Sequence, residues 1–168
     1  NTKFDAELDK IGIGNIEKKF YGFTESENNG KALYLQHCAS CHGTNAARPP
    51  VLSANNGLMY TYEDKGVGSN TGYDKDEALF KVPTLRNISR SAPYMHNGMF
   101  ATLSDVIEHY NSGVKNHKNL SSNLKSGNGV TKKLNLSQQQ KEDLISFLLT
   151  LNDDKITTEV KFSDPFLR

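Results

Sequence analysis

Cysteine is scarce in this 168-residue chain, with two copies in all. Two cysteines exclude a disulfide-stapled scaffold and a four-thiolate zinc cage. Long apolar runs are absent too. No stretch of eighteen apolar residues exists, so nothing in the sequence spans a bilayer as a helix. Charge of one sign is also missing: the formal net charge is +1, and no global field points to nucleic acid or to an anionic membrane. Hydrophobic residues make up only 36% of the chain, and the mean hydropathy is −0.61. The length suits one domain with a real core. Asn1-Thr2-Lys3-Phe4-Asp5 carries no apolar signal region, so a leader has been removed or the chain starts inside a longer one. No internal repeat is visible.

What is present is concentrated at Cys38-Ala39-Ser40-Cys41-His42. Two thiols three positions apart, with a histidine after the second, form the C-x-x-C-H pattern of covalent haem c attachment. Each thiol adds across one vinyl group on the same porphyrin edge, so the sulfurs must sit one helical turn apart. The next residue then offers an imidazole nitrogen to iron, which makes His42 the proximal ligand. Two other chemistries use C-x-x-C. A redox dithiol wants a preceding strand, but Gly30-Lys31-Ala32-Leu33-Tyr34-Leu35-Gln36-His37 reads as helix. A structural zinc site wants a second ligand pair at matching spacing, and no second cysteine pair exists. A large apolar ring also adds the buried surface that the modest hydrophobic content does not supply. Haem c is attached outside the bacterial inner membrane, so the motif implies a periplasmic or otherwise extracytoplasmic location.

Around the motif, residues 1–24 read as a lead-in segment, 25–152 as the haem domain and 153–168 as an extended tail, with Pro165 and Phe166 pinning its end. Thr24 with Glu27 predicts a capped helix running to the motif, with Ala32, Leu33, Tyr34 and Leu35 as its apolar side. Gly30 either admits a second helix closely or is an ordinary interior glycine. From Gly43 to Lys81 there is little periodicity, only turn signals such as Pro49-Pro50 and Asn55-Asn56-Gly57. Arg86 is a candidate for a haem propionate, or a surface arginine. Thr102 caps a helix with Leu103, Val106, Ile107 and Tyr110 on one face, and Gly113 ends it. From His109 to Lys141 there is no Asp or Glu, but there are six lysines, at 115, 118, 125, 132, 133 and 141. That stretch reads as a basic, exposed loop suited to an acidic redox partner, or simply as a solvated face. Ser137 caps a final helix whose Leu144, Ile145, Phe147, Leu148 and Leu151 predict packing against the helix before the motif.

Phe80-Lys81-Val82-Pro83-Thr84-Leu85-Arg86-Asn87, then Ala92-Pro93-Tyr94-Met95-His96-Asn97-Gly98 and Ala101-Thr102-Leu103, together with the haem motif, resemble the C-terminal haem domain of the bacterial di-haem cytochrome c peroxidase and MauG family. The resemblance covers nearly the whole chain from about Phe4. It implies a mainly α, class I-like cytochrome c domain around one covalent haem, with long loops. It further implies the electron-transfer half of a protein that reduces hydrogen peroxide to water, partnered by a peroxidatic haem domain whose own motif is missing from this chain. In the family the sixth iron ligand lies fourteen positions after the histidine of the Pro-Tyr-x-His turn. From His96 that position is Tyr110. Met95 in the same turn is the alternative, followed by Met99, Met59, a histidine or an open site. A thioether favours reduced iron, whereas a phenolate stabilises the ferric form. The resemblance puts His96 near the haem edge and gives Ser91 and Pro93 as carbonyl ligands to a calcium ion shared with the missing domain. Two other functions fit the same residues: a self-standing mono-haem carrier, and a MauG-like oxidase or peroxidase with tyrosine-ligated haem.

Overall fold

The computed structural model describes residues 2–163 and Phe166. It is largely helical. Helix α1 spans Lys3–Ile11, α2 Glu25–His37, α3 Ala39–His42, α4 Gly68–Thr71, α5 Leu103–Glu108 and α6 Gln138–Leu149. Two short strands, β1 (Ser53–Ala54) and β2 (Phe80–Lys81), pair antiparallel with Ser53 opposite Lys81. No helix among the described residues is long and apolar enough to cross a membrane.

The framework is the α2–α6 pair. Both helices begin at reciprocal capping boxes, Thr24 with Glu27 and Ser137 with Gln140, which satisfy first-turn N–H groups that have no partner inside the helix. A Cβ placed on Gly30 would lie 1.9 Å from the Asp143 carbonyl oxygen, so only glycine permits this close approach. Asp143 is itself buried. It accepts hydrogen bonds from Ser26 and Asn29 of α2, which tie the two helices together, and from Gln139 on its own helix. Tyr34 and Phe147 pack with ring centroids 5.0 Å apart.

The lead-in forms a helix of its own. Thr2 and Asp5 make a capping box for α1, and Phe4 is fully buried edge-on against Phe147, 5.8 Å away. Phe20, Phe23 and Ile16 complete this side of the core. The buried face of α2 departs from expectation, since Ala32 is exposed while Lys31 is 2% exposed. The physical reason lies in the lead-in. The carbonyls of Ile16 and Lys18 accept from the Lys31 ammonium, which also lies 4.0 Å over the Phe20 ring.

Two further expectations change. The basic stretch is not an open loop, because Val114, His117, Leu120 and Leu136 are buried. Its polar interior groups find partners: Asn111 accepts from the Leu136 N–H at 2.7 Å, and His117 meets the fully buried Asn55. The tail is not extended either. It turns through two short 3-10 segments, Asp154–Thr157 and Val160–Phe162. Phe166 is 90% exposed, and Pro165 lies outside the described residues.

Candidate functional site

At the end of α2 the helix loosens at Cys38, which closes α2 and opens α3. The Cys41 and His42 N–H groups both donate to the Cys38 carbonyl, at 3.1 and 3.0 Å. The two thiols therefore stand one turn apart, with His42 immediately after. Gly43 (φ +79°) then reverses the chain where a Cβ would lie 2.4 Å from the Arg48 carbonyl oxygen, and its carbonyl accepts from the buried Tyr34 hydroxyl.

His42 is oriented by a carbonyl. Its Nδ1 lies 2.9 Å from the Pro83 oxygen. A carbonyl only accepts, so Nδ1 carries the hydrogen and Nε2 keeps its lone pair. Burial lowers the His42 pKa, with the Pro83 contact opposing, which favours the neutral ring that a metal ligand requires. This is the second-sphere arrangement that fixes the tautomer of metal-ligating histidines. Burial pushes the Cys38 thiol up to about 12, and Cys41 adds to the effect. Such a thiol stays protonated at neutral pH, unlike the thiolate of a redox pair. Among the described residues, no three His, Cys, Asp or Glu side chains converge as a metal cage, so the zinc reading lacks its remaining ligands.

Tyr110 comes from a different element. It sits in a π-helical turn, His109–Gly113, that continues α5. Turns of this kind recur at functional sites. Burial raises its phenol to about 12, a hydrogen bond from Asn56 opposes, and the Cys38 and Cys41 thiols push the same way as burial. Phenol and thiols thus lie within electrostatic reach of one another. His109 packs edge-on against Tyr110 at 5.1 Å and donates through Nε2 to the Asn56 carbonyl at 3.0 Å.

Met95 joins the same group. It holds a left-handed backbone (φ +73°), and its sulfur accepts from Asn56 Nδ2 at 3.3 Å. His96 stacks on Phe80 at 3.7 Å and lies 5.9 Å from Tyr62. Met59 packs half-buried in this cluster, whereas Met99 is 49% exposed. Arg86 is not a free surface arginine. It pairs with Asp5 at 2.8 Å and donates to Thr2 and to the Asn45 carbonyl, while its buried Nε has no partner. Ser91 and Pro93 sit on an exposed turn around the cis Ala92–Pro93 bond. Of the six lysines, Lys118 is held by Asp74 and Glu77, and Lys141 by Glu108.

Residues 27–152 match the cytochrome c family. The chain belongs to it. Cytochrome-c peroxidase IdrP1 of Denitromonas iodatirespirans is 33% identical over 111 residues, covering 66% of this chain and 27% of that protein. The methylamine utilization protein MauG of Paracoccus denitrificans is 27% identical over 188 residues, 90% of this chain and 47% of its own. The crystal structure of a MauG-like protein associated with microbial copper homeostasis superposes with a TM-score of 0.74 at 31% identity, covering 98% of this chain and 52% of that one. This cytochrome c domain therefore spans about a quarter to a half of the length of these relatives.

Membership in the family implies covalently bound haem c, and the residues present fit it. Among the described residues the apolar core falls into two clusters. One is bordered by Cys38. The other, around Leu58, Tyr62 and Ala78, is bordered by Met95. A large apolar ring suits two such surfaces. Next to Cys38 in the chain, the buried His37 Nδ1 has no partner among the described residues. Sequence reasoning missed Asn56, Tyr62, His109 and Asn123, whose Nδ2 lies 3.3 Å from the Cys41 sulfur. The one signal was Asn55-Asn56-Gly57, which reads locally as no more than a turn.

Proposed function

We propose that this chain is an extracytoplasmic electron-transfer domain carrying one haem c, the relay half of a peroxidase- or MauG-type protein. Cys38 and Cys41 would hold the haem through thioether bonds, and His42 Nε2 and the Tyr110 phenolic oxygen would be the iron ligands this chain supplies. The group supplies one-electron chemistry when bound. The protein's part is to attach it, set its ligands and surround it with apolar side chains. The carrying observation is that Tyr110, from the π turn after α5, lies within electrostatic reach of the Cys38 and Cys41 thiols, which stand where α2 passes into α3. A single haem motif supports the relay role, with a second haem domain as natural partner and peroxide reduction as the activity of the pair. A MauG-like oxidase is the second reading. It is favoured by the tyrosine itself, because an anionic phenolate stabilises ferric iron and lowers the potential.

Ferric absorption and EPR spectra of the haem-loaded protein test the assignment. Tyr110→Phe is expected to abolish the phenolate-to-iron absorption and raise the reduction potential, whereas Met95→Leu keeps both close to the parent. Unchanged spectra in Tyr110→Phe rule the tyrosine out.

A further inference from the structure

Asn56 bonds one of the side chains that compete for the distal position and is tied to the residue beside the other. Its Nδ2–H donates to the Met95 sulfur at 3.3 Å, and its carbonyl accepts from His109, next to Tyr110, at 3.0 Å. We propose that Asn56 is a positioning residue that holds the Met95 thioether off the iron position and leaves that position to the Tyr110 oxygen.

The platform beneath it is rigid. The Asn56 carbonyl is held by His109 Nε2 at 3.0 Å, one residue before Tyr110, so the loop and the π turn are locked together. On one side, the Asn55 carboxamide donates to the Ala78 carbonyl at 2.9 Å and accepts from the Gly57 N–H at 2.8 Å. On the other, Gly57 has φ +67° and no room for a Cβ, which would lie 2.6 Å from the Lys115 carbonyl oxygen. The backbone that carries the Asn56 carboxamide is thereby held from both sides. Met95 differs in kind. Its thioether chain is flexible and soft, a good iron ligand if released. Its left-handed backbone is an uncommon conformation for a side-chain-bearing residue and has to be maintained by surrounding contacts. Among the described residues, Asn56 is the hydrogen-bond donor to this sulfur. A thioether with a lone pair bonded to an amide hydrogen is a poorer donor to iron, and it is held in place besides.

This inference rests on Tyr110 being the distal ligand, so the test separates the two claims. Ferric absorption, EPR and the reduction potential are measured on the haem-loaded full chain for Asn56→Leu, of similar size but without polar atoms, and for Asn56→Asp. The carboxylate keeps the shape yet has no hydrogen for the sulfur, and it serves if the leucine variant misfolds. Expected in both is a several-fold loss of phenolate absorption, a methionine-type ferric spectrum in its place and a raised potential. Adding Met95→Leu to either is expected to remove the methionine signal. Spectra and potential identical to the parent, while Tyr110→Phe still changes them, overturn the role of Asn56 and leave Tyr110 standing. Loss of the phenolate signal with no methionine signal overturns it as well. An unchanged spectrum in Tyr110→Phe overturns both claims together.

Discussion

At His117 two donors address one ring nitrogen. Asn55 Nδ2 at 3.3 Å and the Asn119 N–H at 3.1 Å both point to Nδ1, so that nitrogen carries the lone pair and the folded ring is neutral. Burial lowers the His117 pKa below its ordinary 6.5; Glu77 and Asp74 oppose this and Lys118 assists it. With the folded value depressed, the unfolded chain binds the extra proton first as pH falls. Stability is therefore full above 6.5 and is lost as pH drops through the folded value. Denaturant titrations across that window are expected to show declining stability, and a smaller slope in His117→Gln. The same slope in both proteins would mean that His117 titrates alike in the folded and unfolded states. At the residue scale the candidate haem residues were readable as a pattern: Cys38, Cys41 and His42 follow the C-x-x-C-H spacing, whereas Tyr110 came from the family resemblance, through its distance from His96. Asn56 was not legible, because its meaning comes from Met95, thirty-nine residues away. Local reading gives an asparagine before a glycine only a turn.

At the scale of elements, local rules worked where the chemistry is local. The boxes at Thr24, Thr102 and Ser137 all form as their sequences indicate, since each needs only a hydroxyl and an acidic or amide side chain three residues on. The equivalent signal at Thr2 and Asp5 was present but passed over, and α1 went unrecognised. The π turn after α5 had no local signature. It is held from outside, by Asn111 bonding the Leu134 and Leu136 backbone and by Lys141 reaching Glu108. The α2–α6 contact yields a sharper test. In Gly30→Ala the new methyl group collides with the Asp143 backbone, which no rotamer change relieves. Overpacking of this kind is expected to cost about 1–3 kcal/mol, read by chemical denaturation. Because α2 delivers the haem motif, the same variant should also incorporate less haem. A variant as stable as the parent would mean that the helices separate freely.

For the molecule as a whole, the modest hydrophobic content and the divided core have one explanation. The side chains build two apolar surfaces, one on the α1, α2 and α6 side and one around Tyr62, and a covalent ring is what both are suited to meet. Under the proposed function, the haem motif, the carbonyl-oriented His42 and Tyr110 form one site. The fold class was open to sequence reading because the motif and the flanking turns are short and specific. The way the basic stretch folds inward was not, because its buried histidine and asparagines look like surface residues until their partners are known. The most direct test of the central claim is the intact mass of the full chain, produced with haem c maturation, denatured and extracted with acidified acetone. The account predicts a mass equal to the polypeptide plus one haem, with the increment on the peptide containing Cys38 and Cys41. A polypeptide of unmodified mass, with all haem in the solvent, would contradict it.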